Sequence, residues 1–207
     1  MELTFDEAAH RYTVDGRQVP SVTELVAPLG DLAETEDLFF EQALELAAER
    51  GTALHAYLAH RLTGGTPEDF ELPDSYEGYR EAVELFLSEH TIHPQLIETP
   101  LGCSYFAGTP DLVADFDGVP TILDWKFVAT MAKSRVGGQL NGYLYLCDEN
   151  DIHPEALAAV QFLPDGTYRL YPTEADETAF LHCLQIYRIK QMKHPRGRIG
   201  GGQAWQQ

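Results

Sequence analysis

The stretch GTPDLVADFDGVPTILDWKF, residues 108–127, decides the fold of the chain. It contains two runs in which β-branched, aromatic and other apolar residues are frequent, as is typical of strands. Between the runs stands the dipeptide Asp117-Gly118, which favours the tight turn of a β-hairpin. The stretch therefore predicts two antiparallel strands that lie side by side.

The same hairpin predicts a cluster of charged side chains. Alternate residues of a strand share a face, so Asp124 and Lys126 should point together while Trp125 packs on the other side. Counted from the turn, Asp111 lies opposite Asp124. Adjacent carboxylates repel each other, and Mg²⁺, which is typically held by one or two carboxylates, removes that cost. Because such a metal activates water and Lys126 would add charge beside a phosphate, the pattern indicates phosphodiester hydrolysis.

The elements around the hairpin predict an α/β fold. A hairpin turn at residues 15–16 and a capping box that begins at Ser21 open the chain. The periodicity then predicts helices over 36–49, 52–62, 75–90, 135–149 and 173–192, and strands over 95–102, 106–116, 120–127, 157–164 and 167–172. Gly51 is expected to interrupt the first helical pattern, and Thr173 with Asp176 to cap the last helix. The order predicts a sandwich of helices on a small mixed sheet.

Length and composition narrow the class of protein. The chain has 207 residues, of which 44% are hydrophobic, and this suits one domain with a sizeable core. No apolar run approaches the about 20 residues that span a bilayer, and the N-terminus lacks the basic and apolar blocks of a signal peptide. Cys103, Cys147 and Cys183 fit neither a disulfide framework nor a four-cysteine iron–sulfur cluster. We therefore expect a soluble, cytoplasmic protein without membrane association.

Charge is distributed unevenly along the chain. The formal net charge is -19, with 33 acidic and 14 basic residues, and residues 1–125 hold most of the acidic ones. A basic cluster near the C-terminus, most simply a solvated helix end, consists of Arg188, Lys190, Lys193, Arg196 and Arg198. An acidic field repels polyanions. A nucleic-acid function therefore requires a local basic patch, metal ions or a partner.

Several motifs in one order give the chain a resemblance to a known superfamily. PD at 110–111, followed by DWK at 124–126, resembles the signature of PD-(D/E)XK nucleases. RGTALH at 50–55, GTPD at 108–111 and QLNGY at 139–143 resemble motifs of its RecB-like group, which includes phage-type exonucleases. The resemblance implies a restriction-endonuclease-like core of a helix, a three-stranded β-meander, a helix and a strand, with an N-terminal hairpin and helices added.

The resemblance also implies roles for single residues. The implied metal ligands are His55, Asp111, Asp124 and the backbone carbonyl of Trp125, with Glu98 as a further candidate. The implied catalytic residues are Asp111, Asp124 and Lys126, and the residues that would position DNA are Gln139 and Tyr143. Tyr12 is expected only to pack.

For the whole chain the resemblance implies a Mg²⁺- or Mn²⁺-dependent deoxyribonuclease that acts as an exonuclease. It also implies a role in DNA recombination or repair and a phage origin. Residues 1–199 would form one nuclease domain with its core over about 75–165, and residues 200–207 a flexible tail. DNA is the implied partner, together with a recombination protein. No iron–sulfur cluster is implied, because the cysteines that hold one in several relatives are missing.

Two alternatives remain open at this point. The chain could be a catalytically inactive nuclease-fold protein that binds nucleic acid or protein, although its ligand set is intact. It could also be an acidic DNA mimic, whose carboxylates would spread over an outer face without affinity for metal. The net charge of -19 favours both alternatives over an ordinary DNA-binding enzyme.

Overall fold

The computed structural model of the chain describes residues 1–7, 9–30 and 38–191. The tail predicted for 200–207, the beginning of the helix predicted from residue 36, and three of the predicted basic residues lie outside the described residues. No helix within the described ranges combines the length and the apolar character needed to cross a bilayer.

Strands and helices follow one another in groups along the chain. The strands are β1 Leu3–Asp6, β2 Arg11–Val14, β3 Arg17–Val19, β4 Ile92–Ile97, β5 Leu101–Gly102, β6 Ala107–Gly108, β7 Leu112–Phe116, β8 Val119–Lys126, β9 Ala156–Phe162 and β10 Tyr168–Thr173. The α-helices are α1 Val22–Leu25, α2 Leu38–Leu62, α3 Glu77–Glu89, α4 Lys133–Glu149 and α5 Thr178–Gln191. The predicted order of α3, the meander of β4, β7 and β8, then α4 and β9 is confirmed, and with it the α/β class.

The central sheet is mixed and has helices on both faces. Its described strands follow the order β10-β9-β8-β7-β4, in which β8 and β9 are parallel and the other pairs antiparallel. Ile122 of β8 faces a core formed with α1, α4 and α5. Leu123 and Trp125 face a second core formed with α2 and α3. The predicted alternation along β8 is therefore confirmed, and Trp125 is buried away from its charged neighbours.

The β7–β8 hairpin has the predicted turn and register. Asp117 and Gly118 have φ of 52° and 86°, a conformation that glycine adopts without steric cost and aspartate tolerates. The pairing runs from Phe116 opposite Val119 to Leu112 opposite Leu123. The next residue outward is Asp111 on the first strand and Asp124 on the second, so the two carboxylates project from neighbouring strands at the open end of the hairpin.

The N-terminal hairpin and cap are also confirmed. β1, β2 and β3 form a separate small antiparallel sheet, in which residues 15–16 make the β2–β3 turn with positive φ. Ser21 Oγ accepts a hydrogen bond of 3.0 Å from the backbone N–H of Glu24 and so caps α1. The backbone N–H of Ala107 donates to the Pro20 carbonyl at 3.1 Å, which joins this region to β6.

Several predicted boundaries are wrong, two of them because partners elsewhere in the chain outweigh the local pattern. α2 continues through Gly51, because glycine costs a helix only about 1 kcal/mol and tertiary packing outweighs that cost. α5 begins at Thr178, since Thr173 pairs with Leu157 in the β9–β10 ladder and Asp176 alone caps the helix, through 2.9 Å to the Thr178 N–H. The strands predicted over 95–102 and 106–116 each divide into two short strands.

Glycines inside α4 allow α1 to pack closely against it. A Cβ at Gly142 would stand 2.7 Å from both Phe180 Cε2 and Val22 Cγ1, closer than side-chain carbons approach. A Cβ at Gly138 would stand 2.6 Å from Leu29 Cδ1. The glycines that weaken α4 as an isolated helix therefore permit the interhelical contact that buries it.

We expect opposite effects from alanine at two helical glycines. Gly142→Ala should lower the free energy of unfolding by about 1–3 kcal/mol, because the added methyl overpacks the core. Gly51→Ala should raise it by about 0.5–1 kcal/mol, since no described heavy atom lies within 4 Å of the new Cβ and alanine favours the helix. Urea unfolding followed by circular dichroism measures both values. Equal signs for the two variants would contradict this account of α2 and α4.

Candidate active site

The open end of the β7–β8 hairpin holds the first carboxylate in place. Asp111 precedes β7 by one residue, and its Oδ2 accepts a hydrogen bond of 2.7 Å from the backbone N–H of Trp125. This bond extends the hairpin pairing by a side chain where the backbone ladder ends. It fixes one oxygen of Asp111 and leaves Oδ1 turned towards α2.

His55 on α2 and Glu98 after β4 meet that free oxygen. His55 Nδ1 lies 3.5 Å from Asp111 Oδ1 and 3.7 Å from Glu98 Oε1. Glu98 has φ of 41°, and its backbone N–H donates to the Asp111 carbonyl at 3.1 Å, so it turns towards the site. Burial lowers the pKa of His55, but the Asp111 carboxylate and the bond to Glu98 outweigh it and raise the pKa. The structure thus places Glu98 beside the predicted ligands.

Arg50 fixes the part of α2 that carries His55. Its Nη2 donates to the Phe127 carbonyl at 3.0 Å, just beyond the end of β8, and its guanidinium lies 5.2 Å from the Tyr79 ring centroid. His55 also meets Phe127 edge to face, with 5.5 Å between ring centroids. One arginine therefore ties the helix to the strand that carries the other charged groups, although sequence analysis had assigned Arg50 no role.

Asp124 and Lys126 form an ion pair inside the protein. Asp124 is fully buried, and Lys126 Nζ contacts its Oδ2. Neither Asp124 oxygen has a further hydrogen-bond partner among the described residues, so the contact with Lys126 is what compensates this buried carboxylate. Burial by itself lowers the pKa of Lys126. The Asp124 carboxylate, and after it the Asp111 carboxylate, raise this pKa by more, so the ammonium stays charged.

Gln139 and Tyr143 hold the lysine from the other side. Lys126 Nζ donates to Gln139 Oε1 at 3.4 Å, and Gln139 Nε2 donates to Tyr143 Oη at 3.0 Å. The two residues lie one turn apart on α4, as predicted. Burial, followed by the Asp111 and Asp124 carboxylates, raises the pKa of Tyr143 well above its usual value, so its hydroxyl stays neutral. The face of α4 predicted to lie over the site is therefore in direct contact with Lys126.

The carboxylates of this cluster oppose each other. Burial, and after it the nearby Asp124 carboxylate, raises the pKa of Asp111 to about 6, against the opposing effects of His55 and Lys126. A carboxyl group with so high a pKa favours an added positive charge. The described cationic side chains therefore compensate the negative charge of these carboxylates only in part.

The residues fit a hard divalent cation, but they are not arranged around one. No group of three or more His, Cys, Asp and Glu side chains in the described ranges has the geometry of a formed metal site. Asp124, the buried carboxylate, is paired with Lys126. The two Asp124 oxygens without hydrogen-bond partners are the donors that Mg²⁺ or Mn²⁺ prefers. The predicted ligation by the Trp125 carbonyl stays a prediction.

A cavity of about 480 Å³ opens above this cluster. The predicted residues on its wall are His55, Glu98, Asp111, Lys126, Gln139 and Tyr143. An adjoining cavity of about 300 Å³ shares Lys126 and Gln139 and reaches Arg135 on the first turn of α4. The predicted residues therefore share one solvent-accessible space, apart from Asp124 and Trp125, which lie beneath it.

Sequence analysis missed part of the cavity wall. Phe5, His10, Tyr12, Thr23 and Thr109 also line it. Thr109 lies in the GTPD motif and could have been found from that position. The others come from the N-terminal sheet and α1, and no sequence signal places those elements over the site. Tyr12, which was expected only to pack, also shares a hydrogen bond of 2.8 Å with Thr109 Oγ1.

Comparison with known proteins gives low similarity. No family model matches the chain, and no curated protein matches it. Solved structures that are similar include SSO0001, with 16% identity, a TM-score of 0.47, and coverage of 86% of this chain and 79% of that one. They also include an alkaline exonuclease (LHK-Exo) from Laribacter hongkongensis, with 13% identity, a TM-score of 0.45, and coverage of 83% and 87%. LHK-Exo in complex with dAMP gives 12% identity, a TM-score of 0.40 and the same coverage, 83% and 87%. Residue roles in this chain therefore rest on its own geometry.

We expect Asp111→Asn to stabilise the protein in the absence of divalent metal. At pH 8 the wild-type carboxylate is ionised beside Asp124, whereas the amide is neutral and can still accept the Trp125 N–H bond. The gain should be about 1–2 kcal/mol. It should shrink between about pH 6 and pH 4, because Asp111 binds a proton in the folded state at a higher pH than in the unfolded state.

Denaturant unfolding in EDTA at pH 8 and pH 5 measures this difference. Asp115→Asn, on the exposed face of β7, is the matched control and should show no such pH-dependent gain. An Asp111→Asn protein less stable than wild type at pH 8 would contradict the electrostatic account.

Proposed function

We propose that the chain is a divalent-cation-dependent deoxyribonuclease that hydrolyses phosphodiester bonds, with exonuclease action. One observation carries the proposal: His55, Asp111 and Glu98 converge at one cavity, above the buried Asp124 carboxylate, whose described partner is Lys126. Burying charged groups together destabilises a fold unless each charge is paired, hydrogen-bonded or bound to a metal. Perturbed carboxylates in a cavity are typical of functional sites.

His55, Asp111 and Asp124 would hold Mg²⁺ or Mn²⁺, with the Trp125 carbonyl as a further ligand. Glu98, which lies beside Asp111 and His55, would complete the set. When bound, the ion would supply charge stabilisation at a phosphodiester and lower the pKa of a bound water. The chain's own part is to keep the carboxylates close, and the Trp125–Asp111 bond supports that role.

Lys126 would act on the reacting phosphate. Its ammonium stays charged because of Asp124 and Asp111, and Gln139 limits its position from α4. A fixed positive charge beside a phosphate stabilises the negative charge that develops during hydrolysis. Gln139 and Tyr143 would hold the lysine and guide the DNA strand along the cavity wall. Lys126 is thus the catalytic residue of the proposal, and Gln139 is a positioning residue.

DNA binding to a chain of net charge -19 must rely on local charge. Lys126 and Arg135 line the two adjoining cavities, and Arg135 has no ion-pair partner among the residues that the structure describes. Bound metal would add positive charge at the same place. The resemblance of the motifs to those of phage-type exonucleases implies a role in DNA recombination or repair, with a recombination protein as partner and a phage origin.

The acidic charge also supports a second candidate, a non-catalytic protein. A DNA mimic would bind a nucleic-acid enzyme through its carboxylates and would have no specific metal site. An inactive nuclease-fold protein would bind DNA or protein without hydrolysis. Metal affinity and hydrolysis therefore separate these candidates from the nuclease.

Mn²⁺ binding separates the mimic from the other two. We expect isothermal titration calorimetry to detect Mn²⁺ binding to the wild type and a loss of at least about tenfold in affinity for Asp111→Asn, which removes a ligand charge. Asp115→Asn, in the same strand but exposed, should bind as the wild type does. Equal affinity for all three proteins, or no binding at all, would contradict the metal site.

Hydrolysis separates the nuclease from an inactive protein. With Mn²⁺, the wild type should digest linear DNA labelled at its ends, and Lys126→Met should lower kcat about 10²–10³-fold, because the positive charge at the phosphate is lost. Lys133→Met is the matched control, since Lys133 is exposed and lies 5.3 Å from the Tyr171 ring centroid.

Closed circular DNA in the same assay tests exonuclease action, because an exonuclease needs an end. Undiminished digestion by Lys126→Met would overturn the assigned role of the lysine. Cleavage of the circle at the rate of the linear substrate would overturn the exonuclease assignment.

A further inference from the structure

The inner face of the N-terminal sheet extends beyond the body of the protein. In the β1–β2 pair Leu3 lies opposite Val14 and Phe5 opposite Tyr12, so all four side chains share one face. The first pair packs on the body, because a Cβ at Gly102 would stand 2.9 Å from Leu3 Cδ1 and 3.5 Å from Val14 Cγ2. The second pair reaches past this contact and lines the cavity.

His10 extends the second pair into an aromatic platform, which we define as Phe5, His10 and Tyr12. The Phe5 and Tyr12 rings stack with centroids 4.5 Å apart and an interplanar angle of 21°. The His10 ring stands edge-on to both, at 5.4 Å from Phe5 and 5.9 Å from Tyr12. Tyr12 is buried and supports Phe5 from below, whereas Phe5 is half-buried and His10 is exposed, so these two rings supply the open aromatic surface of the cavity.

The platform is attached to the strand connection that carries the candidate metal ligands. Tyr12 Oη and Thr109 Oγ1 share a hydrogen bond of 2.8 Å, and Thr109 precedes Asp111 by two residues. The bridge between Ser21 and Ala107 adds a backbone link on the same side. The position of the platform is therefore coupled to that of the carboxylates.

The carboxylates of the cavity lining are Glu7, Glu98 and Asp111, and Lys126 supplies an ammonium. Glu7 belongs to the same β1–β2 hairpin as the platform, whereas Lys126 belongs to β8. A phosphate is repelled by the carboxylates and attracted by the ammonium. The side of the cavity at the platform therefore suits an uncharged, flat group that is linked to a phosphate.

We propose that the platform of Phe5, His10 and Tyr12 stacks on a nucleobase of the nucleotide next to the bond that Lys126 helps to break. The proposal rests on the nuclease function and deepens it by naming the form of the substrate. Within a duplex both faces of an internal base are covered by its neighbours, so the platform can take only a base at an end, and it takes that base most readily when it is unpaired. The substrate is therefore a single-stranded or frayed end, and its recognition is independent of base identity.

The test compares a single-stranded oligonucleotide with an abasic one of equal length, built from tetrahydrofuran residues. We expect the wild type with Mn²⁺ to show kcat/KM at least about fivefold higher for the oligonucleotide with bases, since stacking contributes about 1–3 kcal/mol per base. Phe5→Leu should lose this preference, because it keeps apolar volume and removes the ring. Phe5→Trp should keep it.

Two further variants control for poor folding of Phe5→Leu and for the general effect of removing an aromatic ring. His10→Ala changes an exposed side chain and should reduce the preference even if Phe5→Leu folds poorly. Tyr105→Leu removes an aromatic ring that is 53% exposed and does not line the cavity, and it should keep the wild-type preference. Thermal unfolding of each variant verifies that it is folded.

The outcomes separate this inference from the proposed function. Hydrolysis by the wild type without preference for bases, or a full preference retained by both Phe5→Leu and His10→Ala, overturns the platform and leaves the nuclease intact. Absence of hydrolysis by the wild type on both oligonucleotides and on linear DNA overturns the nuclease and the platform with it.

Discussion

The hydrogen bond from the Trp125 N–H to Asp111 Oδ2 is the constraint on which the candidate site depends. At 2.7 Å it closes the open end of the β7–β8 hairpin with a side chain. It brings the first carboxylate beside the strand that carries Asp124 and Lys126. It also turns the second oxygen of Asp111 towards His55 and Glu98. The hairpin thereby joins two layers of the protein, because α2 approaches from one side and α4 from the other.

Concentrating charge at this point opposes stability. The buried Asp124 carboxylate, next to Asp111 with its raised pKa, is costly in an apolar surrounding. Lys126 relieves part of this cost as an internal counter-ion, held by Gln139 on α4. An added cation would compete with the lysine for Asp124. The ammonium would then be released towards the cavity, where a phosphate could replace the carboxylate as its partner.

The cavity is built from elements that are distant in the sequence. The motif-bearing strands and helices supply ionisable groups, while the N-terminal sheet supplies aromatic rings and hydroxyls. The surface of the chain is strongly acidic, so recognition of a polyanion has to be local. The cavity combines a few cationic groups with aromatic surface and candidate metal ligands. These groups would contact a nucleic acid at short range, where screening by salt is weakest.

Local patterns in the sequence determined the hairpin turns, the alternation along β8, the order of helices and strands, and the convergence of Asp111, Asp124 and Lys126. These features depend on periodicity and turn chemistry within a few residues, which a chain carries in itself. Local patterns misjudged Gly51 and Thr173, because helix continuity and strand pairing depend on partners elsewhere. Only the tertiary structure decided that Arg50 ties α2 to β8, that Glu98 faces His55, and that Phe5 and Tyr12 cover the cavity. Such contacts join elements far apart in the chain, and packing of the whole molecule selects them.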